Sequence, residues 1–277
     1  MNNLSQRLLT TLIGVPAIVC LLIFLPAMNH LAFAIVAVAA VAIGSLEMGA
    51  LLFGKKKWFY CVPALLPVIQ YLELYFEVPV RMTDIAFSMM ILLSFVPQIF
   101  KGASDQYSSS LVSCSKNALL VFYPGYLITY VIRILAFNSG ERTGGWLFLL
   151  MIMLVFSNDI FAYVFGRLWG KNNGGIVPVS PHKSIAGFAG GAICCILMSL
   201  GLCLWLFDYI SVLDSILLGI AVSFTADVGD LIESLFKRSA GVKDSGNVIP
   251  GRGGMLDCLD SIIATVPLFY LLLELLA

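Results

Sequence analysis

Charge is scarce in this chain. Of its 277 residues, 12% are Asp, Glu, Lys or Arg and 60% are hydrophobic. A soluble domain carries about 25% charged and 45–50% apolar residues. The mean hydropathy of +0.98 agrees with that contrast. Such a shortage excludes an ordinary soluble fold and leaves little room for a separate soluble domain. It offers no basic surface for a nucleic acid, and none is expected as a partner. Histidine is nearly absent, with two in all, and no Ser/His/Asp arrangement is evident. The seven cysteines are scattered through apolar runs, with no CxxC and no Cys/His cluster. This excludes a disulfide framework or a zinc site and leaves them as small packing residues. Fixed-period repeats, linkers and low-complexity segments are also missing.

Long apolar runs are what the chain has instead. A membrane span needs about 20 mostly apolar residues. Nine candidates fit: 8–27, 31–53, 58–77, 83–100, 117–137, 146–168, 187–207, 212–236 and 259–277. The first follows Arg7 and is read as a retained span, since a second run follows almost at once. Cationic residues favour cytoplasmic loops. With the N-terminus in the cytoplasm, Arg7, Lys55, Lys56, Lys57, Lys101, Lys116, Arg167, Lys171, Lys183, Lys237, Arg238, Lys243 and Arg252 all fall on the cytoplasmic side. Arg81 and Arg142 fall outside, and Arg133 lies within a span. The expected fold is therefore all-α, a polytopic integral membrane protein of about nine transmembrane helices. Residues 1–140 read as scaffold helices. Residues 141–277 read as a catalytic half with cytoplasmic loops 169–186 and 237–258.

The unusual polar residues fall in that second half. Asp227, Asp230, Glu233 and Ser234 recur every three or four positions, so a helix stacks them on one face. Lys237 and Arg238 follow one turn later. Three carboxylates on one stripe repel unless a cation sits among them. Mg2+ takes hard oxygen ligands of this kind; ordinary salt bridges at a helix end are the plainer reading. Asp257 and Asp260 share a face at the start of the last span. They can join a metal site, with room for a second cation, or serve as helix-terminal acids. Between these groups lie Gly241, Gly246, Gly251, Gly253 and Gly254, among Lys243, Asp244 and Arg252. A glycine-rich basic loop can present N–H groups to phosphates, or can be a turn against anionic lipid. A last cluster runs from Asn158-Asp159 through Tyr163, Gly166-Arg167 and Ser180-Pro181-His182-Lys183-Ser184 to Gly190-Gly191. A carboxylate at Asp159, inside a span, is costly without a role. Ser184 suits a helix N-cap, and the glycines at 187, 190 and 191 suit helix packing.

Residues 234–260 resemble the signature of the phosphatidate cytidylyltransferase (CDP-diacylglycerol synthase) family, S-x-x-K-R-x4-K-D-x-G-x2-x-P-G-H-G-G-x-x-D-R-x-D. Ser234, Lys237, Arg238, Lys243, Asp244, Gly246, Pro250, Gly251, Gly253, Gly254, Asp257 and Asp260 match it. Gly229-Asp230-Leu231 and Glu233-Ser234 are similar to the family's G-D-L-x-E-S. The 158–191 stretch is similar to its D-x-x-A-Y-x-x-G-R and S-P-x-K-[ST] segments. The chain departs at Arg252, where the family has histidine, and at Cys258, where it has arginine. Ile185-Ala186-Gly187 replaces W-E-G, Ala226 stands where serine is common, and Asp227 is an added carboxylate.

The resemblance implies transfer of a cytidylyl group from CTP to phosphatidate, giving CDP-diacylglycerol and pyrophosphate for phospholipid synthesis. It implies Mg2+ held by Asp230, Asp257 and Asp260, with Asp227 as an extra ligand. Lys237 and Lys243 would act on phosphates with Arg238 and Arg252. Asp244, Gly253, Gly254, Asp159, Arg167, Ser180 and Lys183 would complete the substrate site. The implied setting is the inner (plasma) membrane, with the site facing the cytoplasm and surrounded by membrane lipids. Homodimerisation would use the glycine-bearing spans. Two other readings remain open: a CTP-dependent lipid or polyprenol kinase, and an ion-coupled transporter with embedded carboxylates.

Overall fold

The computed structural model describes residues 3–100, 109–139, 142–171, 173–207 and 210–276. Lys101 lies outside the described residues, as do the side chains of Arg7 and Arg142. The described residues are all-α apart from one short hairpin. Its helices are α1 (Asn3–Ile23), α2 (Ala27–Phe53), α3 (Leu65–Tyr75), α4 (Met82–Ile99), α5 (Ser110–Leu120), α6 (Thr129–Leu135), α7 (Gly144–Trp169), α8 (Ile185–Leu206), α9 (Val212–Ser239) and α10 (Leu256–Leu276). A 3-10 segment, Trp58–Ala64, precedes α3, and a π segment, Val121–Tyr126, joins α5 to α6. The hairpin pairs Asn138 with Thr143 and Ser139 with Arg142.

Among the described residues, seven helical stretches are long and apolar enough to cross a membrane. They are Ala27–Phe53, Met82–Ile99, Ser110–Leu135, Gly144–Trp169, Ile185–Leu206, Val212–Ser239 and Leu256–Leu276. This is a polytopic membrane protein. The two other expected spans differ in kind. The first is apolar over the shorter helical stretch Leu12–Ile23. The third, 58–77, is broken into the 3-10 segment and the 11-residue α3. Pro63, within the 3-10 segment, accounts for part of that break, since proline supplies no N–H to a helical ladder.

Local chemistry sets the helix ends. Ser184 Oγ accepts from Gly187 N at 3.1 Å and caps α8, as the sequence predicts. Ser211 does the same for α9 through Asp214 N at 3.2 Å. Gly54, at φ +72°, closes α2 in the left-handed conformation that glycine tolerates.

Helices α7, α8, α9 and α10 pack side by side and hold the polar residues. Leu147, Met151, Leu154, Leu218, Leu256 and Phe269 lie in the buried core. Apolar surface alone gives little drive between helices in lipid, so small residues and interhelical hydrogen bonds carry the specificity. Gly190 lies under the Phe165 ring, and Gly191 lies against the Asn158 carbonyl, where an added Cβ would stand 2.9 Å away. These glycines serve packing, as expected. Across the same layer, Ser223 Oγ donates to Asn158 Oδ1 at 2.8 Å, and Ser261 Oγ donates to the Ala226 carbonyl at 3.2 Å. A separate polar clamp ties the first half together. Arg133 Nε donates to Gln70 Oε1 at 2.8 Å, and Tyr126 donates to Asp84 Oδ1 at 2.8 Å.

Candidate active site

Helix α9 carries Asp227, Asp230, Glu233 and Lys237 on the one face that their spacing requires. Helix α10 meets it at Gly229. A Cβ there would stand 2.6 Å from the Asp260 carbonyl and 3.0 Å from Ser261 Cα. Glycine thus lets the two backbones close up, which sets Asp230 and Asp260 facing one cleft. The cleft has a volume of about 520 Å³. Asp159, Asp227, Asp230, Asp257 and Asp260 all line it, with Arg167 and Lys183. Tyr163, His182 and Ser184 also contribute to its wall.

Two ammonium groups hold this acidic wall together. Lys183 Nζ lies 2.6 Å from Asp230 Oδ2 and 3.7 Å from Asp227 Oδ1. It also sits over the Phe188 ring, 5.2 Å from the centroid. Lys237 Nζ bridges buried Glu233 and Asp257 Oδ1, the latter at 2.7 Å. The Lys183 backbone N–H donates to Ser180 O at 3.1 Å. Ser180 therefore shapes the turn that delivers Lys183, and its own side chain is not part of the cleft lining. Arg167 Nη1 donates to Tyr163 Oη at 3.0 Å, one turn earlier on α7.

The glycine-rich loop is anchored by two carboxylates. Asp257 Oδ2 accepts from Ser245 N at 2.9 Å, Ser245 Oγ at 2.9 Å and Gly254 N at 2.7 Å. Glu47, from α2, accepts from Met255 N at 3.1 Å and Leu256 N at 2.8 Å. Ser245 Oγ lies 3.2 Å from Glu47 Oε2 as well. Glu47 is 1% exposed and caps the N-terminus of α10, where backbone N–H groups would otherwise lack partners. The close approach explains the glycines. A Cβ on Gly253, at φ +104°, would stand 2.6 Å from Asp257 Oδ2. One on Gly254 would meet Ser245 Oγ and Glu47, and one on Gly246 would meet Glu47 Oε1. The Gly254 N–H is thus directed at a protein carboxylate.

The remaining sequence-predicted residues lie outside the cleft. Lys243 and Asp244 are exposed on the loop, and Arg238 Nη1 donates to the Val242 carbonyl at 3.2 Å. Arg252 and Cys258 line a second, apolar cavity on the far side of α10. Two first-half residues were missed. Glu47 left the same signal that exposed Asp159, a lone carboxylate in an apolar run. Tyr123, in the π segment, is buried against Phe236 of α9 with ring centroids 5.2 Å apart. Its hydroxyl lies in the field of Asp260, Glu233 and Asp230. No sequence period marks a π segment, although such segments recur at functional sites.

The carboxylates fit a hard divalent cation: five aspartates, from α7, α9 and α10, line a cleft with basic neighbours. Among the described residues, no three Asp, Glu, His or Cys side chains are already gathered as a cage. Lysine ammonium groups stand among the carboxylates instead.

A sequence model of the cytidylyltransferase family matches residues 5–276. A phosphatidate cytidylyltransferase of Staphylococcus epidermidis is 40% identical over 148 residues, 53% of this chain and 56% of that protein. One from Staphylococcus saprophyticus is 41% identical over 126 residues, 45% of this chain and 48% of that protein. One from Staphylococcus aureus is 39% identical over 150 residues, again 53% and 56%. The chain thus aligns with about half the length of these curated relatives. With the family match running nearly end to end across the acidic cleft and its loop, the chain belongs to the cytidylyltransferase family, a family of nucleotidyl-transferring enzymes.

Proposed function

We propose that the protein transfers a cytidylyl group from CTP to phosphatidate, releasing pyrophosphate and leaving CDP-diacylglycerol in the membrane. The observation that carries this reading is the cleft itself: five aspartates from three membrane helices, interleaved with Lys183 and Lys237. The S. epidermidis relative, a phosphatidate cytidylyltransferase, supports the choice of lipid.

In this reaction an oxygen of the lipid phosphate forms a bond to the α-phosphorus of CTP. The bond from that phosphorus to the β-phosphate oxygen breaks, and pyrophosphate leaves. Both reactants are anionic, so catalysis consists of cancelling repulsion and aligning the two. No side-chain nucleophile is needed. Asp230, Asp257 and Asp260, with Asp227 beside them, would hold Mg2+, with room for a second cation. Bound there, Mg2+ supplies Lewis-acid charge neutralisation at the reacting phosphates. Lys183 and Lys237 keep the carboxylates together before substrate binds and turn toward phosphate once it does. Arg167, with Tyr163 against it, meets an outer phosphate at the cleft wall. Lys243 on the exposed loop and Arg238 in the last turn of α9 attract anionic substrate. Asp257 also fixes that loop, so a change there disturbs both ligand set and loop.

The wider assignment follows the same reading. Nine crossings with a cytoplasmic N-terminus place the loops 169–186 and 237–258, and the cleft, on the side where CTP is made. Residues 1–140 act as scaffold and 141–277 as the catalytic half, with Glu47 reaching across. The product identifies the reaction. Purified protein given phosphatidate, CTP and Mg2+ is expected to release one pyrophosphate per CDP-lipid formed. Formation of CDP and a phosphorylated alcohol from an alcohol substrate would assign a lipid kinase and overturn the proposal.

A further inference from the structure

Helix α10 has two working faces. At about 100° per residue, positions 257, 260 and 261 fall on one side and 258, 259 and 262 on the other. The first set lines the carboxylate cleft. The second lines a separate cavity of about 510 Å³. That cavity runs between α1, α2, α6, α7 and α10, with walls that include Ile18, Phe33, Ala37, Phe148 and Ile262. From Thr10 to Ile18 on α1 its depth is about 12 Å, at about 1.5 Å per residue. Its edge continues into exposed apolar surface at Ile13 and Val36, which are 61% and 46% exposed. Such surface on a membrane protein faces acyl chains. Among the described residues, the polar side chains lining the cavity are those of Thr10, exposed Arg252 and Cys258. Arg252 lies within electrostatic reach of that thiol.

We propose that this cavity holds an acyl chain of an anionic glycerophospholipid whose headgroup phosphate pairs with Arg252, as a second lipid separated by α10 from the carboxylate cleft. Apart from the side chains of Thr10, Arg252 and Cys258 the lining is apolar, so a nucleotide or other polar ligand would bury polar atoms with too few partners. The planar guanidinium at the mouth selects a phosphate-bearing, net-negative headgroup. A lipid there would rest on the 249–258 segment, whose other side carries Asp257. The proposal needs only a membrane-embedded chain and stands apart from the cytidylyl reading.

The test uses the full chain, purified and delipidated in detergent, with lipid binding read by native mass spectrometry. The probes are phosphatidylglycerol, which lacks the phosphate monoester of phosphatidate, and phosphatidylcholine with the same acyl chains. One phosphatidylglycerol per chain is expected, favoured about tenfold over phosphatidylcholine. Arg252→Gln should remove that preference. Gly14→Leu should weaken both lipids, because a Cβ at Gly14, on the cavity wall, meets nothing within 4 Å and a side chain there fills the space. Leucine is also a good helix former, and Ala37→Leu gives a second filling variant should the first misfold. Lys183→Gln, across α10, should leave binding unchanged. Equal binding of the two lipids by the native chain would overturn the proposal. So would wild-type binding in both filling variants, a preference that survives Arg252→Gln, or a loss caused by Lys183→Gln, which would put the lipid in the carboxylate cleft.

Discussion

Single residues carry charge balance in this molecule, and Asp257 carries the most. One of its oxygens takes Lys237 and the other takes Ser245 and Gly254. Asp257→Asn keeps the shape, removes the charge and places an amide where donors now point. Turnover is expected to vanish while membrane insertion and expression persist, checked by activity and membrane fractionation. Normal turnover would remove Asp257 from the ligand set. Glu47 is the second case. A hydrogen bond to a buried charged group contributes about 1.5–3 kcal/mol. Glu47 accepts from two backbone N–H groups, so Glu47→Ala is expected to cost about 3 kcal/mol. Thermal unfolding in detergent checks this, and an unchanged transition would mean that the loop holds itself. Asp159 and Glu47 show what the sequence made legible. Both are isolated carboxylates in apolar runs, but Asp159 stands beside recognisable motif residues and Glu47 does not. Its partners lie about 200 positions further along the chain, and no local pattern announces such a pairing.

Helices were readable wherever apolar length alone decides. The stripe Asp227, Asp230, Glu233 and Ser234 followed from helical spacing, with Lys237 one turn later, and the structure carries all five on α9. Spacing could not show that Lys183 would cross from the α7–α8 loop to join it. Nor did it show that 58–77 breaks into a 3-10 segment and a short helix. An apolar run fixes burial in lipid, whereas its continuity depends on backbone contacts with neighbours. Gly125 marks one such contact, since a Cβ there would stand 2.7 Å from Pro63. Helix packing gives a prediction of its own. Gly190→Ala would drive a methyl group into the Phe165 ring. Overpacking of this kind costs about 1–3 kcal/mol. The variant is expected to unfold at lower temperature and to lose activity in proportion. Gly201→Ala, where nothing lies within 4 Å, should be neutral in the same assay.

Across the whole molecule, long apolar helices carry an acidic cleft lined from α7, α9 and α10. The proposed nine crossings from a cytoplasmic N-terminus would put the end of α10 on the opposite side. Alkaline phosphatase fused after Ala277 should then be active, and a fluorescent protein fused there should be dark. The reverse pattern would contradict the orientation. The central claim is that the cleft moves a cytidylyl group onto a lipid, and label transfer reads this most directly. Purified protein in detergent is given phosphatidate, Mg2+ and CTP labelled at its α-phosphate, and label is followed into chloroform-soluble product. Label in lipid, lost with EDTA and with Asp257→Asn, is the expected result. Folded protein that leaves all label in water would contradict the account.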